Sequence, residues 1–152
     1  MAAAKWQIFN EAKLKIMNGS LDLDSAALRM RLYKSSSNIA TSATAFPLST
    51  IASITNQVTA NVKGGGTKNV TGSVIVGANA STYKFTFQNV IYSTSGGDIT
   101  SVQIAVIYLS GGQPVCWSKL STAIFTITNG NTLTIAANAT GGAFTISGGA
   151  SA

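Results

Sequence analysis

From residue 20 onward, apolar residues recur at every second position in short runs divided by Gly, Asn and Ser, the spacing of strands with one buried face. Leu28-Arg29-Met30-Arg31-Leu32-Tyr33 sets Leu28, Met30 and Leu32 on one face and Arg29, Arg31 and Tyr33 on the other. Tyr83, Phe85 and Phe87 alternate with Lys84, Thr86 and Gln88, and this aromatic row predicts a core face. Residues 101–109, Ser-Val-Gln-Ile-Ala-Val-Ile-Tyr-Leu, are apolar at nearly every position, which predicts a central strand covered on both faces. Gly111-Gly112-Gln113-Pro114 turns the chain back into Val115-Cys116-Trp117-Ser118 as a hairpin. Further strand patterns occupy 20–23, 57–62, 70–76 with a break at Gly72, 123–128, 132–136 and 144–146, and the Tyr83 strand runs on through Tyr92. Asn129-Gly130 predicts a type I′ hairpin turn, because both residues tolerate positive φ.

Two stretches depart from the two-residue period. Residues 3–17 hold no Pro or Gly and place Ile8, Phe9, Ala12 and Ile16 on one side of a helix, with Trp6 and Met17 adjoining and Glu11 and Lys15 opposite. Asn18-Gly19 ends it. Such a helix lies on something apolar, either its own sheet or a neighbouring subunit. Residues 34–50, rich in Ser, Thr and Ala with Pro47 near the end, read as a long loop that drapes over a partner and leads into a helical turn over 48–54. The whole predicts one domain over residues 1–152: an all-β, antiparallel, jelly-roll-like β-sandwich with one N-terminal helix and a frayed tail at 148–152.

Composition then narrows the function. The 152 residues include no His, one Cys and four carboxylates, Glu11, Asp22, Asp24 and Asp98. General acid–base, nucleophilic and metal-dependent catalysis draw on those residue types in clusters, so the chain reads as a non-enzyme with no cofactor and no metal. Asp22 and Asp24 lie close in sequence but lack the further oxygen ligands of a calcium loop, and Asp24 is expected to cap the turn before the Leu28 strand. Gly64-Gly65-Gly66 is followed by no Lys-Ser/Thr at phosphate-loop spacing and reads as a flexible connection. Cys116, between Val115 and Trp117, reads as a buried apolar side chain.

Only 9% of residues are charged, yet the net charge is +6, and Lys5, Lys13, Lys15, Arg29, Arg31 and Lys34 all fall in the first 34 positions. A basic third suits an acidic protein surface, nucleic acid or an anionic membrane. The aromatic-plus-basic run of a single-strand-binding module is missing, so no specific nucleic acid is expected. With no apolar run long enough to span a bilayer, no membrane partner is expected either. Trp6, Phe9, Lys13, Arg29, Arg31 and Lys34 are the candidate protein–protein contact residues, Trp6 because Trp anchors interfaces as readily as cores.

The opening Lys5-Trp6-x-x-Phe9-Asn10-x-Ala12-Lys13-x-x-Ile16-x-Asn18-Gly19-x-Leu21-x-Leu23, followed by Leu28-Arg29-Met30-x-Leu32-Tyr33 and a Ser-rich stretch, resembles small virion proteins of tailed bacteriophages. Tyr83-Lys84-Phe85, Ile104-Ala105-Val106 and Gly130-Asn131-Thr132-Leu133-Thr134 extend the likeness across residues 5–146. The resemblance implies a capsid decoration, or cement, protein: a homo-oligomer, trimer or dimer, made in the host cytoplasm and bound to the major capsid protein on the outer surface of the virion. Members of such groups are also tail or neck components. A carbohydrate- or receptor-binding β-sandwich is the alternative of a different class, with Tyr33, Tyr92 and Tyr108 as its candidate aromatics.

Overall fold

A computed structural model describes residues 5–40, 50–77, 82–139 and 142–147. The expected tail at 148–152 and much of the 34–50 loop lie outside them. The chain is all-β and sandwich-like, every strand pairing is antiparallel, and α1 (Asn10–Met17) is the one α-helix among the described residues.

The main sheet is built around β7 (Ile99–Leu109), the uninterrupted apolar run. On one side β7 pairs with β2 (Leu28–Lys34), in a register that sets Leu28 opposite Leu109 and Tyr33 opposite Ile104. On its other side the C-terminal half takes β8 (Pro114–Lys119), across the expected hairpin, and the N-terminal half takes β9 (Phe125–Ile127). Ser101, at φ 61°, supplies the extra residue of a bulge between the Ile99–Ile127 and Val102–Phe125 pairs. The sheet is completed by β1 (Gln7–Ile8) beside β8 and β3 (Thr67–Val70) beside β2.

Two smaller sheets complete the molecule, one of β4 (Gly72–Val76), β5 (Thr82–Phe87) and β11 (Phe144–Ser147), the other of β6 (Val90–Ser93) and β10 (Thr132–Ile135). They meet the Leu28 face of the main sheet. The ring of Phe85 and the Cδ1 of Leu28 converge on Gly72, and Trp6 packs edge-on to Phe87 with ring centroids 5.4 Å apart. Tyr92 crosses from β6 to donate its hydroxyl to the Met30 carbonyl at 2.9 Å. The Tyr33 face is left to the long connection from β2 to β3. Its Ile39, Ile51 and Ile54 are buried, and the Ile51 N–H donates to the Gly112 carbonyl at the β7–β8 turn.

Several expectations change. Residues 5–9 are extended, not helical, because the segment finds a β8 edge to pair with: Gln7 and Ile8 oppose Trp117 and Cys116, and the Phe9 N–H donates to Val115 O at 3.0 Å. The helix begins only at Asn10, and Met17 points to solvent. Residues 20–23 alternate in burial without forming a strand, because no neighbouring strand takes their hydrogen bonds. Residues 57–62 make only isolated bridges at Gln57 and Val62. The run 70–76 breaks at Thr71, where the chain leaves the main sheet for the small one, and the Tyr83 strand likewise ends at Phe87 before β6 starts in another sheet. Asn129-Gly130 does turn the chain, yet β9 and β10 do not pair; only Gly130 has positive φ, so the turn is not type I′.

Gly72 sits where a Cβ would lie 2.6 Å from the Phe85 ring and 3.0 Å from Leu28. Overpacking of this kind costs about 1–3 kcal/mol. Gly72→Ala is expected to lower the urea midpoint correspondingly, and an unchanged midpoint would contradict the packing described.

Candidate docking surfaces

The four carboxylates already have structural work. Asp22 accepts the Asp24 N–H at 3.0 Å and the Ser25 hydroxyl at 2.8 Å, so Asp22 rather than Asp24 holds the turn before β2. Asp24 instead accepts the outward N–H of Val74, on the free edge of β4, at 3.1 Å. An edge strand blocked at its centre by a carboxylate is a poor template for a further strand. Asp98 accepts the Asn129 N–H at 2.8 Å, and Glu11 lies 3.9 Å from Lys15 one helical turn on. The thiol of Cys116 is fully buried, and burial raises its pKa well above the ordinary value.

What the fold offers outward is surface. On the outer face of the main sheet the register sets Arg29 and Arg31 of β2 among Thr67 and Asn69 of β3, Val106 and Tyr108 of β7, and Trp117 and Lys119 of β8. No carboxylate occurs among these strand positions. Arg31 is half-buried, its Nε donating to Thr67 Oγ1 at 3.1 Å and its guanidinium carbon 5.0 Å from the centroid of Tyr108. Arg29 and Lys119 are exposed at opposite ends of the face, with Lys34 half-buried at the end of β2. The centre of the face is buried, and there, among the described residues, the Tyr108 hydroxyl and the Trp117 indole N–H have no hydrogen-bond partner. Burial raises the pKa of Tyr33, with Arg31 opposing the shift, and burial raises that of Tyr92 further. These phenols stay neutral.

The structure thus separates the six expected contact residues. Arg29, Arg31 and Lys34 share one strand. Lys13 is exposed on α1, away from them, whereas Trp6 and Phe9 are buried against the chain's own strands, where an apolar neighbour was available. Tyr33, Tyr92 and Tyr108, the candidate glycan platform, are each 2% exposed or less and present no ring to a sugar.

A second surface went unread in the sequence. Val74, Phe85 and Phe144 align across the small sheet, as do Val76, Tyr83 and Ile146 one step further out. The first row is largely covered; the second is open, with Tyr83 51% and Val76 58% exposed. With Ile16, Leu21 and Leu23 from α1 and the segment after it, Val74, Tyr83, Phe85, Phe144 and Ile146 line an open groove of about 190 Å³ that Asp22 and Lys84 both border. Of nine exposed large hydrophobic side chains among the described residues, seven lie on this sheet or on α1. The signal was three successive apolar residues, Val74-Ile75-Val76, in a strand with one side to bury.

No known protein family, curated protein or solved structure matches the chain. Among the described residues no helix is long and apolar enough to cross a membrane.

The hydrogen bonds to Asp22 hold its carboxyl below the usual pKa of 3.8. A depressed folded-state pKa contributes stability above the unfolded pKa and loses it as pH falls through the folded value. Asp22→Asn is therefore expected to flatten the fall in denaturation midpoint below about pH 4, and an identical acid limb in both proteins would remove this role for Asp22.

Proposed function

We propose that the chain is a structural protein of a tailed-bacteriophage particle, a capsid decoration protein that binds the major capsid protein on the outside of the assembled head. The observation that carries this reading is the segregation of charge: β2 and β8 of the main sheet bring Arg29, Arg31 and Lys119 to one face, with no acid among the described strand positions there. The resemblance of the sequence to small phage virion proteins supplies the partner, and a basic face suits an acidic shell. The rigid tie of Arg31 to Thr67 and Tyr108 supports it too, since an immobilised guanidinium loses little side-chain entropy on docking.

The mechanism is mass action. A protein that binds the closed shell and not its dissociated subunits stabilises the shell by an amount set by free concentration over the dissociation constant. Many identical sites on one particle let modest single contacts accumulate. The carboxylates, committed to turns and to the β4 edge, take no part beyond shape. Charged residues of the rim govern on-rate and salt dependence more than final affinity.

Co-sedimentation of the purified chain with DNA-emptied heads tests this. Binding that saturates at a fixed copy number, is unaffected by excess random duplex DNA and weakens about tenfold or more in an Arg29→Glu, Lys119→Glu double variant is the expected outcome. Failure to sediment with heads, or competition by random DNA with a steep salt slope, would overturn it in favour of a tail location or nucleic-acid binding respectively.

A further inference from the structure

Asn-Gly occurs twice in the chain, at Asn18-Gly19 and Asn129-Gly130, and both pairs are exposed turns. The pair has a chemistry of its own. With no Cβ on the following residue, the glycine nitrogen can swing onto the Asn side-chain carbonyl carbon and close a succinimide ring. That closure needs a glycine N–H free to leave its hydrogen bond and a backbone free to turn about the Asn Cα–C bond. The fold treats the two pairs differently. Asn129-Gly130 is tied to the β6–β7 connection: the Gly130 N–H donates to Thr94 Oγ1 at 2.8 Å and the Asn129 N–H to Asp98 Oδ1 at 2.8 Å, contacts that span 36 and 31 residues. Freeing that nitrogen breaks tertiary contacts. The hydrogen bonds of Asn18, Gly19 and Ser20 among the described residues run only to one another or back into the last turns of α1, with the Gly19 N–H on Ile16 O at 3.2 Å. A helix of eight residues holds its last turn closed only by packing, and here Leu14 and Met17 face solvent. Such an end opens locally at far lower cost than a tertiary contact.

We propose that Asn18 is a site of self-modification, converting through a succinimide to isoaspartate and aspartate, while Asn129 in the same fold stays an amide. Solvent base takes the Gly19 amide proton, the nitrogen bonds to Asn18 Cγ, and the Cγ–N bond of the side chain breaks, with a proton from water, to release ammonia. The Ser20 N–H, which already donates to Asn18 Oδ1 at 3.0 Å, stands where negative charge gathers during that addition. Water then opens the ring. Opening at the main-chain carbonyl leaves the chain running through Cγ, as isoaspartate; opening at Cγ leaves Asp. No oxidant, metal or enzyme is required. Either product places a carboxylate at the C-terminal end of α1, where the helix dipole opposes it, and lowers the net charge of +6 by one. Isoaspartate also adds a methylene to the main chain just ahead of Leu21 and Leu23, which are buried and line the groove, so the change reaches the seating of that segment. The chemistry is independent of the partner the chain binds.

Peptide mapping by mass spectrometry of the full chain, aged in mildly alkaline buffer made with heavy-oxygen water, tests the proposal. Ring opening installs a heavy oxygen, which separates conversion during ageing from conversion before it. The expected result in the folded protein is conversion at Asn18 about tenfold or more faster than at Asn129. In denaturant, where only the shared Asn-Gly sequence remains, the gap should close. A Thr94→Val variant, which takes the acceptor from the Gly130 N–H, should speed Asn129 and leave Asn18 unchanged, with thermal unfolding as the control for folding. Equal rates at the two sites in the folded chain, a faster Asn129, or an Asn18 that stays an amide while the denatured chain converts overturns the proposal. So does a gap that persists in denaturant or is untouched by Thr94→Val.

Discussion

The fold depends on burying β7 on both faces. Eight of its 11 residues are buried, and a strand covered twice needs one layer from each side. On the Leu28 side two small sheets provide it, brought there by chain crossings at Thr71 and at Gln88-Asn89. On the Tyr33 side the described parts of the connection between β2 and β3 supply the cover, with Ile39, Ile51 and Ile54 buried and Ile51 pinned to Gly112. Among the described residues, the Tyr108 hydroxyl and the Trp117 indole N–H on that side have no hydrogen-bond partner.

Function follows from what the arrangement leaves free. In a chain with four carboxylates, fixing Asp22 and Asp98 in turns and Asp24 at the β4 edge commits most of the negative charge to architecture. Positive charge remains on the main sheet's outer face, and uncovered apolar area remains on the small sheet and α1. The two lie on different elements. Such a division lets one surface engage a partner by charge while the other stays available for apolar contact.

The central elements were legible in sequence because their signal is local. The continuous apolar run gave β7, strict alternation gave β2, and Gly111-Gly112 gave the hairpin into β8. Elements whose shape depends on a distant partner were not. Residues 5–9 look helical until the β8 edge is present to accept Ile8 and Phe9. Asn129-Gly130 bends the chain as its chemistry dictates, but β10 pairs with β6 about forty residues earlier, and nothing near the turn encodes that choice. The same holds for the surfaces: Arg29 and Arg31 could be placed on a polar face from alternation alone, whereas Trp6 and Phe9 could be assigned to core or interface only once Phe87 and Val115 were in position.

Native-state hydrogen exchange by NMR tests the primacy of β7 most directly. The amides of Ala105, Val106 and Ile107, bonded between β2 and β8 and fully buried, should exchange only through global unfolding, with protection that tracks the denaturant-measured stability. The amides of β4 and β11, at the edges of the small sheet, should exchange faster through local opening. Exchange of the β7 amides at the rate of those edges would contradict the account.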